Sequence, residues 1–113
     1  VWLADESLMD AVTALSGSGP AYVFYMIECL AAAGEKAGLA PDLADQLARA
    51  TVAGAGELAL QSEEPAGDLR VQVTSPGGTT AAALAVLMAD DGLQSLMIRA
   101  VAAAKKRSIE LAK

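Results

Sequence analysis

Val73-Thr74-Ser75-Pro76-Gly77-Gly78-Thr79-Thr80 sets hydroxyls, one proline and two adjacent glycines directly ahead of Ala81-Ala82-Ala83-Leu84-Ala85-Val86-Leu87-Met88, a strong helix former. Pro76 fixes its own φ, lacks a donor and pushes Ser75 towards an extended conformation. Gly77 and Gly78 are free to take positive φ and carry no Cβ to keep a ligand from the backbone. Thr79 or Thr80 is placed to cap the helix through its hydroxyl. Free N–H groups, hydroxyls and the positive end of a helix dipole would then converge on one point. Such a point suits a small anion, a carboxylate as well as a phosphate. The competing reading is an ordinary glycine-rich turn with a threonine cap. No lysine is present in the loop, so it is not a nucleotide P-loop.

Other candidates for chemistry are weaker. Gly17-Ser18-Gly19 has the start of a dinucleotide-binding fingerprint, but it follows a helical pattern, Pro20 comes next, and Tyr22 stands where a third glycine or alanine belongs. A helix–helix turn explains it better. The acid pairs Glu63-Glu64 and Asp90-Asp91 read as solvated loop surface. With no histidine there is no Ser-His-Asp hydrolase, and with Cys29 as the only cysteine there is neither a disulfide framework nor an ordinary zinc site. Cys29 is expected as a small core residue in a reducing, cytoplasmic setting. A net charge of −6, with Lys105-Lys106-Arg107 as the only basic cluster, disfavours nucleic acid and anionic lipid. Glu28 interrupts the apolar stretch from Tyr22 to Ala33, and no run reaches membrane-spanning length.

The elements that must position the loop are helical. Of the 113 residues 26 are alanine and only four are aromatic, a bias that points to an all-α bundle of about five to six helices in a single domain. A first short helix starts at Asp5 or Ser7, places Leu8, Met9, Val12 and Leu15 at helical spacing, and ends at Ser16-Gly17-Ser18-Gly19. The second runs from about Pro20 to Ala37, with Ser18 as its cap; apolar residues most of the way round mark it as central and buried. Gly38 stops it. Pro41 opens a third, with Leu43, Leu47, Ala50, Gly54 and Leu58 along one face. Gly54 and Gly56 weaken that helix and mark a close approach by another. Asp68–Val73 supplies one or two turns before the loop, Thr80–Asp90 a short apolar helix. Leu93–Leu111 is the last, with Leu96, Met97, Ala100, Val101, Ala104 and Ile109 inward. Its final turns carry Lys105, Lys106, Arg107 and Lys113, suiting the dipole's negative end. So much exposed alanine and methionine on the second and last helices calls for an oligomer, with a two-fold dimer the commonest form.

The loop Val73–Thr80 resembles the signature segment of pyrroline-5-carboxylate reductases, which make proline by reducing a cyclic imine. Asp10-Ala11-Val12-Thr13-Ala14-Leu15-Ser16-Gly17-Ser18-Gly19-Pro20-Ala21-Tyr22 looks like that family's other strongly marked segment, in the same order and at about the same spacing. The likeness continues through nearly the whole chain, but covers only the C-terminal half of such an enzyme. It implies an interlocked helical homodimer, which assembles further into decamers in some members. It also implies a separate N-terminal dinucleotide-binding domain, absent from this sequence, that holds NADPH or NADH. The substrate implied is 1-pyrroline-5-carboxylate, reduced at its C=N carbon to L-proline. By the resemblance, Ser75 and the backbone of Gly78 and Thr79 hold the substrate carboxylate. Gly77 supplies the turn, and Thr80, the catalytic residue, meets the ring nitrogen. Ser16, Gly17, Ser18, Gly19 and Pro20 shape the nicotinamide side of the pocket, and Glu63 lies near the cofactor. No metal is implied.

Val71 stands where that family commonly has an acid, and Ala66-Gly67 where Pro-Gly is frequent; both concern local packing outside the loop. Val1 is not methionine, and the opening reads as a segment cut from something longer. Hydride transfer needs a nicotinamide held in place, and no segment of these 113 residues reads as able to hold one, so by themselves they are expected to be inactive. The alternative is a stand-alone, non-enzymatic helical dimerisation module that keeps an anion-binding turn. A strand followed by Gly-x-Gly-x-x-Gly or Ala encoded upstream of Val1 would separate the two.

Overall fold

The computed structural model describes residues 6–112, and among them every regular element is helical. They are α1 (Glu6–Val12), a π-helical turn (Thr13–Gly17), α2 (Gly19–Lys36), α3 (Pro41–Gln61), α4 (Ala66–Gln72), α5 (Thr79–Leu87) and α6 (Leu93–Leu111). None is long and apolar enough to cross a membrane. Asp5, one of two expected starting points for α1, and Lys113 lie outside the described residues. By internal contacts the chain groups into two compact units, Ala21–Thr74 and the segments flanking it.

Within Ala21–Thr74, α2 ends in a Schellman motif at the glycine expected to stop it. Gly38 has φ +113°, its N–H reaches the Glu35 carbonyl at 3.0 Å, and the Leu39 N–H reaches back to Gly34 at 3.0 Å. Leu39 Cδ1 lies 3.3 Å from where a Cβ on Gly34 would stand, and the Ala44 methyl is equally near. This lets α2 and α3 approach through small residues: Ala31, Ala44 and Ala48 form a buried cluster with Ile27 against it. The expected α3 face is therefore displaced by one residue. Leu43, Leu47 and Leu58 stay exposed while Ala44 and Ala48 go in. At Gly54 and Gly56 no described atom lies within 4 Å of a built Cβ, so the close approach expected there is left to a helix beyond this chain.

In the other unit, α6 packs on the π-turn and on α1, and α1 also contacts the π-turn. Ala14, at 1% exposure, is buried here, while Leu8, Met9, Val12 and Leu15, at helical spacing, are exposed. On α6, Met97, Val101 and Ala104 are half-buried as expected, but Leu96, Ala100 and Ile109 are exposed. The last turn of α6 has no basic residue; Lys105, Lys106 and Arg107 precede it, so they complement the dipole less than expected.

Only four hydrophobic residues are buried among those described, and all four are alanine. A buried methyl contributes roughly 0.8 kcal/mol, against ~1.5–3 for a leucine or phenylalanine, so these helices are not held by their own chain's core. Phe24 and Tyr25 are each 65% exposed, and Met26 and Leu30 are exposed beside them. The expectation that α2 is central and buried therefore fails within one chain. Cys29 is exposed too, rather than in a core. A hydrogen bond with Cys29 raises the Tyr25 phenol above its ordinary pKa, helped by charge on Cys29, slight desolvation and Glu28.

Candidate functional site

Arg70, Val71 and Thr74 close the end of α4 before the loop begins. The Thr74 hydroxyl donates to the Arg70 carbonyl at 2.6 Å, and its N–H donates to Val71 at 3.0 Å. That hydroxyl, one of the group expected to face an anion, is thus turned back on its own helix.

Ser75-Pro76-Gly77-Gly78 is a type II turn. Proline occupies the second position, Gly77 has φ +72° in the third, and the Gly78 N–H donates to the Ser75 carbonyl at 3.1 Å. Only one of the two glycines therefore uses positive φ. Gly78 has φ −90° and ψ −172°, and a Cβ there would stand 3.3 Å from the Ser75 oxygen. Its N–H, expected as an open donor, is spent in the turn.

Gly78 is itself the residue ahead of α5, with no side-chain cap bond. Neither Thr79 nor Thr80 caps the helix. The first bond of α5 is from the Ala82 N–H to Gly78 at 3.2 Å, which leaves the N–H groups of Thr79, Thr80 and Ala81 facing outwards. Ser75, Thr79 and Thr80 are exposed, and no hydrogen bond occupies their hydroxyls. Three uncommitted backbone donors and three exposed hydroxyls thus lie at or beside a helix N-terminus, the donor chemistry an anion requires.

Ser16, Gly17, Ser18, Gly19 and Pro20 belong to the same compact unit as this loop, although more than fifty residues separate them in sequence. They do not form the expected helix-ending turn. After α1 the chain widens into the π-turn; the Ser18 N–H reaches five residues back to the Thr13 carbonyl at 2.9 Å. Ser18 keeps a right-handed helical conformation (φ −84°, ψ −17°) and is no N-terminal cap for α2. Pro20 takes the second position of α2, where its missing N–H costs nothing. Among the described residues Gly17-Ser18-Gly19 follows a helix and a π-turn rather than a strand, which is not the setting of a dinucleotide-binding fingerprint.

Glu63 lies in the other unit, between α3 and α4, with its side chain exposed. Glu64, beside it, accepts from Gln72 Nε2 at 2.9 Å and donates its N–H to Ser62 Oγ at 3.0 Å. Among the described residues no cluster of acids and Cys29 could hold a metal ion. Concavities of about 300 Å³ beside Met88, Asp90 and Arg99 and about 350 Å³ over Leu30, Leu39 and Ala48 are both lined by residues other than Ser75–Thr80.

An all-helical domain is the class this geometry defines. The family model for pyrroline-5-carboxylate reductase dimerisation matches residues 6–111, and the chain belongs to that family. It is 48% identical over 112 residues to a pyrroline-5-carboxylate reductase of Pseudomonas aeruginosa, spanning 99% of this chain and 41% of that relative. A solved pyrroline-5-carboxylate reductase of Coxiella burnetii superposes with a TM-score of 0.92 at 44% identity, over 100% of this chain and 42% of that one. A Plasmodium falciparum pyrroline carboxylate reductase with NADP bound gives 0.87 at 38% identity, over 96% and 41%. This chain therefore corresponds to about two-fifths of the length of the proteins it resembles.

Proposed function

We propose that this chain is the dimerising and substrate-holding part of an NAD(P)H-dependent pyrroline-5-carboxylate reductase of proline biosynthesis. The observation that carries the reading is the open helix N-terminus behind the type II turn. The N–H groups of Thr79 and Thr80, with the Ser75 hydroxyl, hold the carboxylate of 1-pyrroline-5-carboxylate. Gly78 contributes by keeping that approach clear of a Cβ, rather than by its own N–H, and Gly77 sets the turn. The Thr80 hydroxyl meets the ring nitrogen and fixes the C=N bond relative to the incoming hydride, which a reduced nicotinamide supplies. Ser16–Pro20 forms the wall on the nicotinamide side, and Glu63 lies towards the cofactor. The described helices offer no glycine-rich turn after a strand, so the dinucleotide itself belongs to a further domain.

The partner is a second copy. Alanines take up the contacts between α2 and α3, while the bulkier Phe24, Tyr25, Leu43, Leu47 and Leu96 are left open. Exposed apolar surface on that scale fits an obligate, interlocked dimer, whose interfaces bury roughly 2,000 Å² or more in total. The dimers serve as the unit of any larger assembly.

Two measurements on the purified 113-residue chain test this. Light scattering at micromolar concentration should report a dimer, and a stable monomer would remove the assembly reading. Incubation with NADPH and pyrroline-5-carboxylate should give no turnover, whereas steady reduction would show that the cofactor is bound here.

A further inference from the structure

The π-turn is the least self-sufficient element of the unit that carries the loop. π-helical turns are rare and occur mostly as single-turn insertions. Here the turn follows a helix of only seven described residues, which has too few intrahelical bonds to hold its own register. Its position must come from what it packs on, and that is α6.

Two contacts fix it. Ala14 is buried inside the π-turn itself. One turn earlier, Asp10 Oδ1 accepts a hydrogen bond from Ser108 Oγ at 2.7 Å, between side chains that are both half-buried and 98 residues apart in sequence. The side-chain bonds of Gln72 and Thr74, by contrast, reach partners only eight and four positions away. The Asp10–Ser108 bond thus ties the start of the Asp10–Tyr22 segment to the last helix.

We propose that Asp10 and Ser108 are positioning residues for hydride transfer: their hydrogen bond sets the register of the π-turn on α6 and thereby places Ser16–Pro20 at the nicotinamide side of the site. The inference rests on the reductase reading above. Neither residue touches substrate in this account. Both act through the backbone of Thr13–Gly17, and the carboxylate cradle at Ser75–Thr80 is left to bind independently.

The test uses a full-length reductase that carries this segment. Reduction of pyrroline-5-carboxylate by the unaltered protein establishes the reductase reading first, and its absence would reject that reading rather than this one. In the active enzyme Ser108→Ala and Asp10→Ala should each lower kcat about tenfold, the scale of loss a small misplacement of the nicotinamide-side wall produces. The KM for pyrroline-5-carboxylate should change less than twofold. Ser108→Thr, which restores the hydroxyl, should recover most of kcat, and the double alanine variant should be no slower than either single one. A lower Tm with kcat unchanged would make the bond merely structural and overturn the proposal, as would a tenfold rise in the substrate KM alone. Should Asp10→Ala fail to fold, Ser108→Ala removes a single oxygen atom and decides the question by itself.

Discussion

Ser16-Gly17-Ser18-Gly19-Pro20 and Ser75-Pro76-Gly77-Gly78 are made of the same three residue types, yet the first stays helical and the second reverses the chain. The placement of proline accounts for much of the contrast. Pro76 follows Ser75 at once, drives it out of the helical region and presets the second position of a turn that Gly77 completes at φ +72°. Pro20 comes after both glycines, inside the first turn of α2, where it supports the helix and asks nothing of them. Their donors differ accordingly. The Ser18 N–H is satisfied by Thr13, whereas those of Thr79, Thr80 and Ala81 stay open ahead of α5. Glycine-rich composition therefore does not by itself open backbone donors; the turn between one helix and the next leaves them open.

Substitutions in the two segments of a full-length reductase should separate accordingly. The largest effect is expected from Gly78→Val. Its Cβ would press on the Ser75 carbonyl, and its branches would fill the approach to the Thr79 and Thr80 donors. The substrate KM should rise by roughly a hundredfold or more, the loss of about 2–3 kcal/mol of charge-assisted bonding, with cofactor affinity nearly unchanged. A normal KM would mean that the carboxylate binds elsewhere.

Thr80→Val comes next. Removing the hydroxyl should cost about 1–3 kcal/mol, a ten- to hundredfold loss in kcat/KM. Because Thr80 makes no cap bond, Tm should hold. Lower Tm with unaltered kcat/KM would return the loop to the role of scaffold.

Gly77→Ala should act on stability, since an L side chain at φ +72° costs about 1–2 kcal/mol. Thermal unfolding measures it, and an unchanged midpoint would contradict the type II turn. The smallest effect belongs to Gly17→Ala. An added Cβ would meet only Thr13 Cγ2, at an ordinary 3.7 Å, so stability should be unchanged or gain up to ~1 kcal/mol from helix propensity. A loss exceeding 1 kcal/mol would show that Gly17 is held in a turn after all.

Local chemistry carried most of what could be read in advance. Gly38 ending α2, Pro41 opening α3 and Pro76-Gly77 turning each depend on a conformation that one or two residues impose on themselves. At Gly92, ahead of α6, the reason is contact instead: a Cβ there would collide with the Leu87 carbonyl oxygen. The π-turn was not legible, because α- and π-helical bonding differ by one residue in the acceptor and no side chain in Thr13–Gly17 selects between them. A long apolar helix interrupted by Ser-Gly-Ser-Gly without a proline inside the interruption was the available sign.

The sequence by itself determined that the chain is helical, about where most of its helices lie, and that a proline–glycine turn leads into a helix. Those properties follow from φ preferences and hydrogen-bond donors within a few residues. Only the tertiary structure decided which apolar stripes go inward. Ala44 and Ala48 displace the expected leucines because small side chains let α2 and α3 come close, and Ala14 does the same for the π-turn beneath α6. It also decided which loop donors remain open, since the Gly78 N–H and the Thr74 hydroxyl go to the Ser75 and Arg70 carbonyls. Helical periodicity gives an apolar face its angle; which face another helix covers depends on how near that helix can approach, and that is a property of both surfaces together.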